Sequence, residues 1–208
     1  MRVDIFVDVV CPWCFIGKRR LERALAMRPD LPMQKAWRPF QLNPDMPEGG
    51  VPAAEFFAEK FRSPTLMADR RAQVAEIGAS VGIDFIFERI TIEPNTLDAH
   101  RLIRYAQKRG RGDFVVEALF AAHFVDGRDI GDRAVLAAIA GENGLDAAEA
   151  ATFLASGGER DALRAEEQEA RRIGVSAVPC YIFDGQYAVA GAQEPEFFLP
   201  IFDLTLTK

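Results

Sequence analysis

Near its N-terminus the chain runs through Val3, Ile5, Phe6, Val7, Val9 and Val10 and then directly into Cys11-Pro12-Trp13-Cys14. The apolar run reads as a buried strand over residues 3–10. A helical pattern follows from Pro12 to about Ala26, with Cys14, Leu21 and Leu25 on one face. Pro12 suits the first helical turn, where a missing N–H costs nothing. The junction therefore puts a C-x-x-C pair at a helix start. Two thiols at that spacing can close a small ring, and the unpaired N–H groups of the first turn favour a thiolate on the leading sulfur. A free thiol of pKa ~8.5 is only a few per cent ionised at neutral pH, whereas a helix N-terminus in such a motif can lower the value to ~3.5–7.5. The chemistry this predicts is reversible dithiol–disulfide exchange with Cys11 as the nucleophile.

Pro29 and Pro32 bracket a turn, and residues 33–42, with Trp37 and Phe40, read as a second strand that completes a β-α-β unit. From Asn43 to Gly50 the composition shifts to Pro, Asp and Gly, and helical patterns then dominate to about Ile173. Helix starts are expected at Asn95, Asp132, Asp146 (with Glu149 as a capping box) and about Glu159, and Gly157 is a natural stop. Strand signals return over 178–183 and 187–190, joined by Asp184-Gly185, a hairpin cue. An amphipathic helix from about Glu194 to Leu206 closes the chain. The order β-α-β, helical block, β-β-α is that of an α/β thioredoxin fold with a helical domain inserted after the first β-α-β unit. The expected division is 1–45 and 174–208 for the thioredoxin-like domain and 46–173 for the helical insertion.

With 208 residues, 49% of them hydrophobic, the chain can bury a sizeable core. Its 31 acidic residues outnumber 25 basic ones, which argues against nucleic-acid binding. No window approaches the ~18 apolar residues of a membrane span, and no long apolar segment resembles a signal peptide, so a soluble cytoplasmic protein is expected. Three cysteines are too few for a secreted disulfide scaffold. A zinc site needs about four ligands. Beyond the C-x-x-C the chain offers Cys180, His100 and His123, with no second C-x-x-C, so no metal is expected.

Several segments together carry a family resemblance. They are Cys11-Pro12-Trp13-Cys14-Phe15-Ile16-Gly17-Lys18, Pro94-Asn95 with Ala99-His100-Arg101-Leu102, Asp126-Gly127-Arg128-Asp129-Ile130, Gly174-Val175, Val178-Pro179 and Gly191-Ala192-Gln193. Spread over nearly the whole chain, they resemble the FrnE-like group of DsbA-family thiol–disulfide oxidoreductases. The resemblance implies that Cys11 is an exposed attacking thiol and Cys14 the resolving thiol. It also implies that Pro179 is a cis-proline opposite the dithiol, leaving the backbone of Val178 to pair with an extended substrate. Only X-Pro has a cis form cheap enough, ~0.5–1 kcal/mol, to be built in routinely.

Pro12 and Trp13 lie inside the ring and are candidate substrate contacts, with core packing the competing role for Trp13. Phe15, Ile16 and Phe40 read as core. Cys180 reads as a small buried hydrophobe, since strand alternation turns it away from Pro179 and Tyr181, with a third redox thiol near Cys11 and Cys14 as the competing reading. Asn95 reads as a helix cap, and His100, five residues on, is a candidate proton carrier or polar contact in an inter-domain cleft, with a satisfied or exposed helical histidine the competing reading. The expected substrates are protein or small-molecule disulfides and dithiols, with no bound cofactor and glutathione as a conceivable co-substrate. The oligomeric state is open, a homodimer included. Two other classes share the layout. Glutathione-dependent 2-hydroxychromene-2-carboxylate isomerases and kappa-class glutathione transferases have a serine in place of the first cysteine, so Cys11 with Cys14 argues against them. A non-catalytic binding or chaperone module would use an apolar cleft drawn from the sixteen phenylalanines.

Overall fold

Strands β1 (Arg2–Val7) and β2 (Gln34–Pro39) pair in parallel, Ile5 opposite Trp37, with helix α1 (Pro12–Ala26) crossing between them. The structure, a computed structural model, describes residues 1–206. On the other side of β1, β5 (Cys180–Phe183) runs antiparallel, and a hairpin leads to β6 (Tyr187–Ala190). The sheet order is β2-β1-β5-β6. Asp184 and Gly185 both hold positive φ, 47° and 70°, as a tight hairpin turn between right-twisted strands requires.

Side-chain alternation sorts this sheet into two faces. Val3, Ile5 and Val7 join Tyr181 and Phe183 in the main core against α1 and against Phe198 and Phe202. Phe198 ends a short 3₁₀ turn, and Phe202 lies in helix α9 (Leu199–Leu206). Phe6 and Cys180, opposite one another in register, turn the other way and pack with Phe40, Ala170 and Val175. Cys180 is thus a buried strand residue on the face away from the C-x-x-C helix.

Between β2 and β5 the chain is mostly helical. A two-stranded ribbon, β3 (Val51–Pro52) with β4 (Ile92–Glu93), holds α2 (Ala53–Phe61) and α3 (Pro64–Ser80) beside the start of α1. Then come α4 (Leu97–Gln107), α5 (Gly112–Ala121), α6 (Arg133–Glu142), α7 (Ala147–Ala155) and α8 (Arg160–Arg172). Asp132 and Asp146 cap α6 and α7 through their carboxylates. The helix expected from Asn95 begins two residues later, at Leu97, because Asn95 Oδ1 accepts from the Leu97 N–H at 2.9 Å from outside the helix. Among the described residues no helix is long and apolar enough to cross a membrane.

The helix that begins with the cysteines is shared between the sheet and the helical block. Phe15 stacks on Phe120 with ring centroids 5.0 Å apart, and Phe124 meets Phe85 edge-on at 5.2 Å. The buried Lys18 ammonium bridges Glu22 at 2.5 Å and Glu117 at 2.6 Å, tying α1 to α5 without leaving a buried charge unpaired. One turn from Cys14, Gly17 lets α1 approach the loop before β5. A Cβ there would collide with the Tyr181 hydroxyl and come within 2.9 Å of Pro179 Cγ.

Candidate active site

Cys11 is the N-cap residue of α1, in extended backbone (φ −96°, ψ 111°), and Pro12 opens the helix. The Cys11 N–H donates to Asp8 O at 3.0 Å and the Cys14 N–H to Cys11 O at 3.0 Å, so the pair is wound into the first turn as the spacing predicts. Both cysteines are free thiols. The two side chains are near enough that Cys11 bears on the titration of Cys14. Cys14 is fully buried. Burial pushes its thiol well above the ordinary range, the neighbouring Cys11 adds to that, and a main-chain hydrogen bond from Asp8 opposes it. Cys14 is therefore held as a thiol, the form from which a resolving cysteine must lose its proton before it attacks.

Cys11 is only 5% exposed, in place of the open thiol that the resemblance implies. The reason is packing from the helical block. α2, α3, β4 and the turn after α5 roof the helix start and leave a cavity of about 390 Å³ with Cys11, Pro12 and Trp13 in its wall. Trp13 is 36% exposed at this edge. Of the other sequence-derived site residues, the Val178–Pro179 peptide bond is cis, and Val178 O accepts from Cys11 Sγ at 3.7 Å. His100 does not join the cavity wall. It is 2% exposed inside the core, with Nε2 3.4 Å from Asp8 Oδ1, because α4 packs its face carrying this residue inward.

The sequence reading missed three polar groups. Asp8 is fully buried at the end of β1; its Oδ2 accepts from the Leu42 N–H at 2.7 Å, and its Oδ1 has no hydrogen bond. Glu93, on β4, lines the cavity at 3% exposure. Burial and then the Asp8 charge push its carboxyl up to about 7. His123 lines the same cavity from a π-helical turn over Ala122–Asp126, and burial pushes its imidazole down to about 4. The available signal was Asp8 itself, an acid within an apolar run three residues before Cys11. Nothing in the sequence ties Glu93 or His123 to it, because they arrive from distant elements.

These shifts bear on stability in opposite pH ranges. Glu93 has a folded-state pKa above its unfolded value of about 4.5, so its contribution is complete below that value and lost as pH rises through about 7. His123 is depressed from 6.5 to about 4, so its contribution is present above 6.5 and lost as pH falls through 4. Glu93→Gln is expected to raise stability at pH 8 by roughly 3 kcal/mol, at ~1.4 kcal/mol per pKa unit, and to leave it nearly unchanged near pH 4. Urea unfolding at the two pH values measures both; an equal effect at both would contradict the assigned burial.

Among the described residues no group of three or more His, Cys, Asp or Glu side chains is placed to hold a metal ion. What the site offers is a dithiol at a helix start, a cis-proline loop against it and a mostly apolar cavity beside the leading sulfur.

Comparison with solved structures agrees with this architecture. A Streptomyces coelicolor protein named as a probable DsbA oxidoreductase is 31% identical, with a TM-score of 0.91 over 100% of this chain and 91% of that one. The cytosolic disulfide reductase DsbM of Pseudomonas aeruginosa, solved with GSH, is 17% identical, with a TM-score of 0.71 and full coverage of both chains. A 2-hydroxychromene-2-carboxylate isomerase is 17% identical with a TM-score of 0.71, covering 100% of this chain and 95% of its own. At that identity the latter two show the shared fold. The sequence model of the DSBA-like thioredoxin domain spans residues 2–202, and the chain belongs to that family.

Proposed function

We propose that this protein is a thiol–disulfide oxidoreductase working through Cys11 and Cys14 in the reducing cytoplasm. The observation that carries the reading is a pair of free thiols in the first turn of α1, the leading one in a cavity wall and the second fully buried. In the reducing direction, Cys11 thiolate attacks one sulfur of a substrate disulfide; the S–S bond breaks, a mixed disulfide forms and one thiol leaves. Cys14 then loses its proton and attacks Cys11 Sγ, closing the Cys11–Cys14 disulfide and releasing the second substrate thiol. An external dithiol or two monothiols return the pair to the reduced form, and the same route run backwards oxidises a substrate. The Val178 carbonyl, freed from Cys11 when substrate arrives, supplies a main-chain acceptor to an extended substrate. The cytosolic DsbM neighbour supports both the location and glutathione as one such reductant.

Thiol titration with and without reductant, together with insulin-type disulfide reduction, tests this. Two thiols titrating reversibly and insulin turnover are expected. Inert cysteines would instead mark a binding module, and turnover of a chromene carboxylate without disulfide reduction would mark an isomerase.

A further inference from the structure

The cavity beside Cys11 has a composition that the exchange reaction alone does not call for. An apolar cavity of ~150 Å³ holds one benzene, so about 390 Å³ accepts on the order of two rings. Phe57, Phe61, Phe87, Phe124 and Trp13 all contribute to its wall, and such faces bind rings by offset or edge contact. Its charged members are unbalanced. Lys60, Arg70 and Arg71 line it, and among the described residues none of the three forms an ion pair. Arg70 reaches only Gln73, at 3.3 Å, while the Arg71 guanidinium lies over the rings of Phe57 and Phe87 at 4.9 and 5.5 Å. The one acid among the lining residues is Glu93, so at most one negative charge opposes three cations there, and burial keeps His123 neutral. In a chain of net charge −6, this is a local basic surplus around an aromatic chamber.

We propose that the cavity selects small aromatic disulfides carrying a carboxylate, with the rings against the phenylalanines and the anion toward Lys60, Arg70 and Arg71. This rests on the thiol–disulfide reading and narrows its substrate class. The step is the exchange already written: Cys11 thiolate attacks one aryl sulfur, the aryl S–S bond breaks with one aryl thiolate leaving, the other arylthio group stays on Cys11 as a mixed disulfide, and Cys14 attack expels it as the second aryl thiolate while the Cys11–Cys14 bond forms. Two electrons pass to the substrate, two aryl thiols leave, and a dithiol such as dithiothreitol restores the enzyme. The exposed cations act on encounter and binding, where charge complementarity has its main effect, and not on the sulfur chemistry.

The experiment compares kcat/KM, in the presence of dithiothreitol, for 5,5′-dithiobis(2-nitrobenzoate), the uncharged 4,4′-dithiodipyridine, glutathione disulfide and insulin. Each is divided by its uncatalysed rate with dithiothreitol. The benzoate disulfide is expected to lead, and its advantage over the pyridyl disulfide to fall about tenfold in K60Q/R70Q, through KM, as expected from losing two partly exposed charge contacts. Both side chains are exposed. Raising ionic strength on the unsubstituted protein should erode the same advantage, which requires no variant to fold. No advantage for the benzoate disulfide, or an advantage insensitive to both salt and substitution, overturns the proposal while insulin reduction leaves the oxidoreductase reading standing. Failure to reduce any of the four overturns both.

Discussion

Cys11→Ser is expected to lower disulfide turnover by about a thousandfold or more, because the attacking sulfur has no substitute within the site. A serine hydroxyl at the same N-cap would remain un-ionised, and Cys14, fully buried and held well above the ordinary thiol range, cannot take over as the first nucleophile. Cys14→Ser has a different signature. The first exchange still proceeds, but the mixed disulfide on Cys11 has no internal thiol to resolve it, so the protein should accumulate a covalent adduct visible by intact mass spectrometry under non-reducing conditions. Cys180→Ser should retain turnover, since Cys180 packs with Phe6, Phe40 and Val175 on the other face of the sheet. Equal losses at all three positions would mean that unfolding, not chemistry, was being measured, and adduct formation on Cys11→Ser would assign the nucleophile to Cys14. An intact far-UV spectrum for each variant separates those cases.

Local chemistry made short-range features in both parts of the chain legible. A strand running into C-P-x-C, an Asp-Gly hairpin and Asp caps at 132 and 146 are short-range signals, and each appears in the structure where its own residues put it. What escaped the sequence was contact between distant segments. The β3–β4 ribbon has two residues per strand, too short for any period to show. The burial of Cys11 depends on α2 and α3 roofing a site more than forty residues earlier, and no pattern within residues 11–14 encodes that. His100 shows the same limit: helical spacing gave its face but not which element that face meets. Only the position of α4 turns it toward Asp8.

The largest effect on stability is expected at Arg101, a residue quoted in the family resemblance with no role attached to it. Its side chain is fully buried. The guanidinium donates from Nη1 to Asp98 Oδ1 at 2.8 Å and to Leu154 O at 3.0 Å, and from Nη2 to Phe153 O at 2.8 Å and Ser156 O at 2.7 Å. Nε reaches Gly158 O at 2.8 Å. These carbonyls belong to the end of α7 and the loop beyond it, groups that a helix C-terminus leaves without intrahelical partners. Arg101 thus serves as an internal cap, holding α7 and the approach to α8 onto α4. Arg101→Met removes all five hydrogen bonds, strands the Leu154 carbonyl inside the protein and leaves Asp98 short of one cation, for which a loss of about 3–5 kcal/mol is expected in urea unfolding. Asp98 retains Arg133 at 2.7 Å and Arg160 at 3.3 Å, which keeps the loss from being that of a fully orphaned charge. Arg101→Lys should recover little, because one ammonium cannot address acceptors spread around a planar fork. Turnover per folded molecule should stay near the parent value at low temperature, since Arg101 does not line the Cys11 cavity. A variant that unfolded as easily as the parent would show that the carbonyls at the end of α7 find other donors.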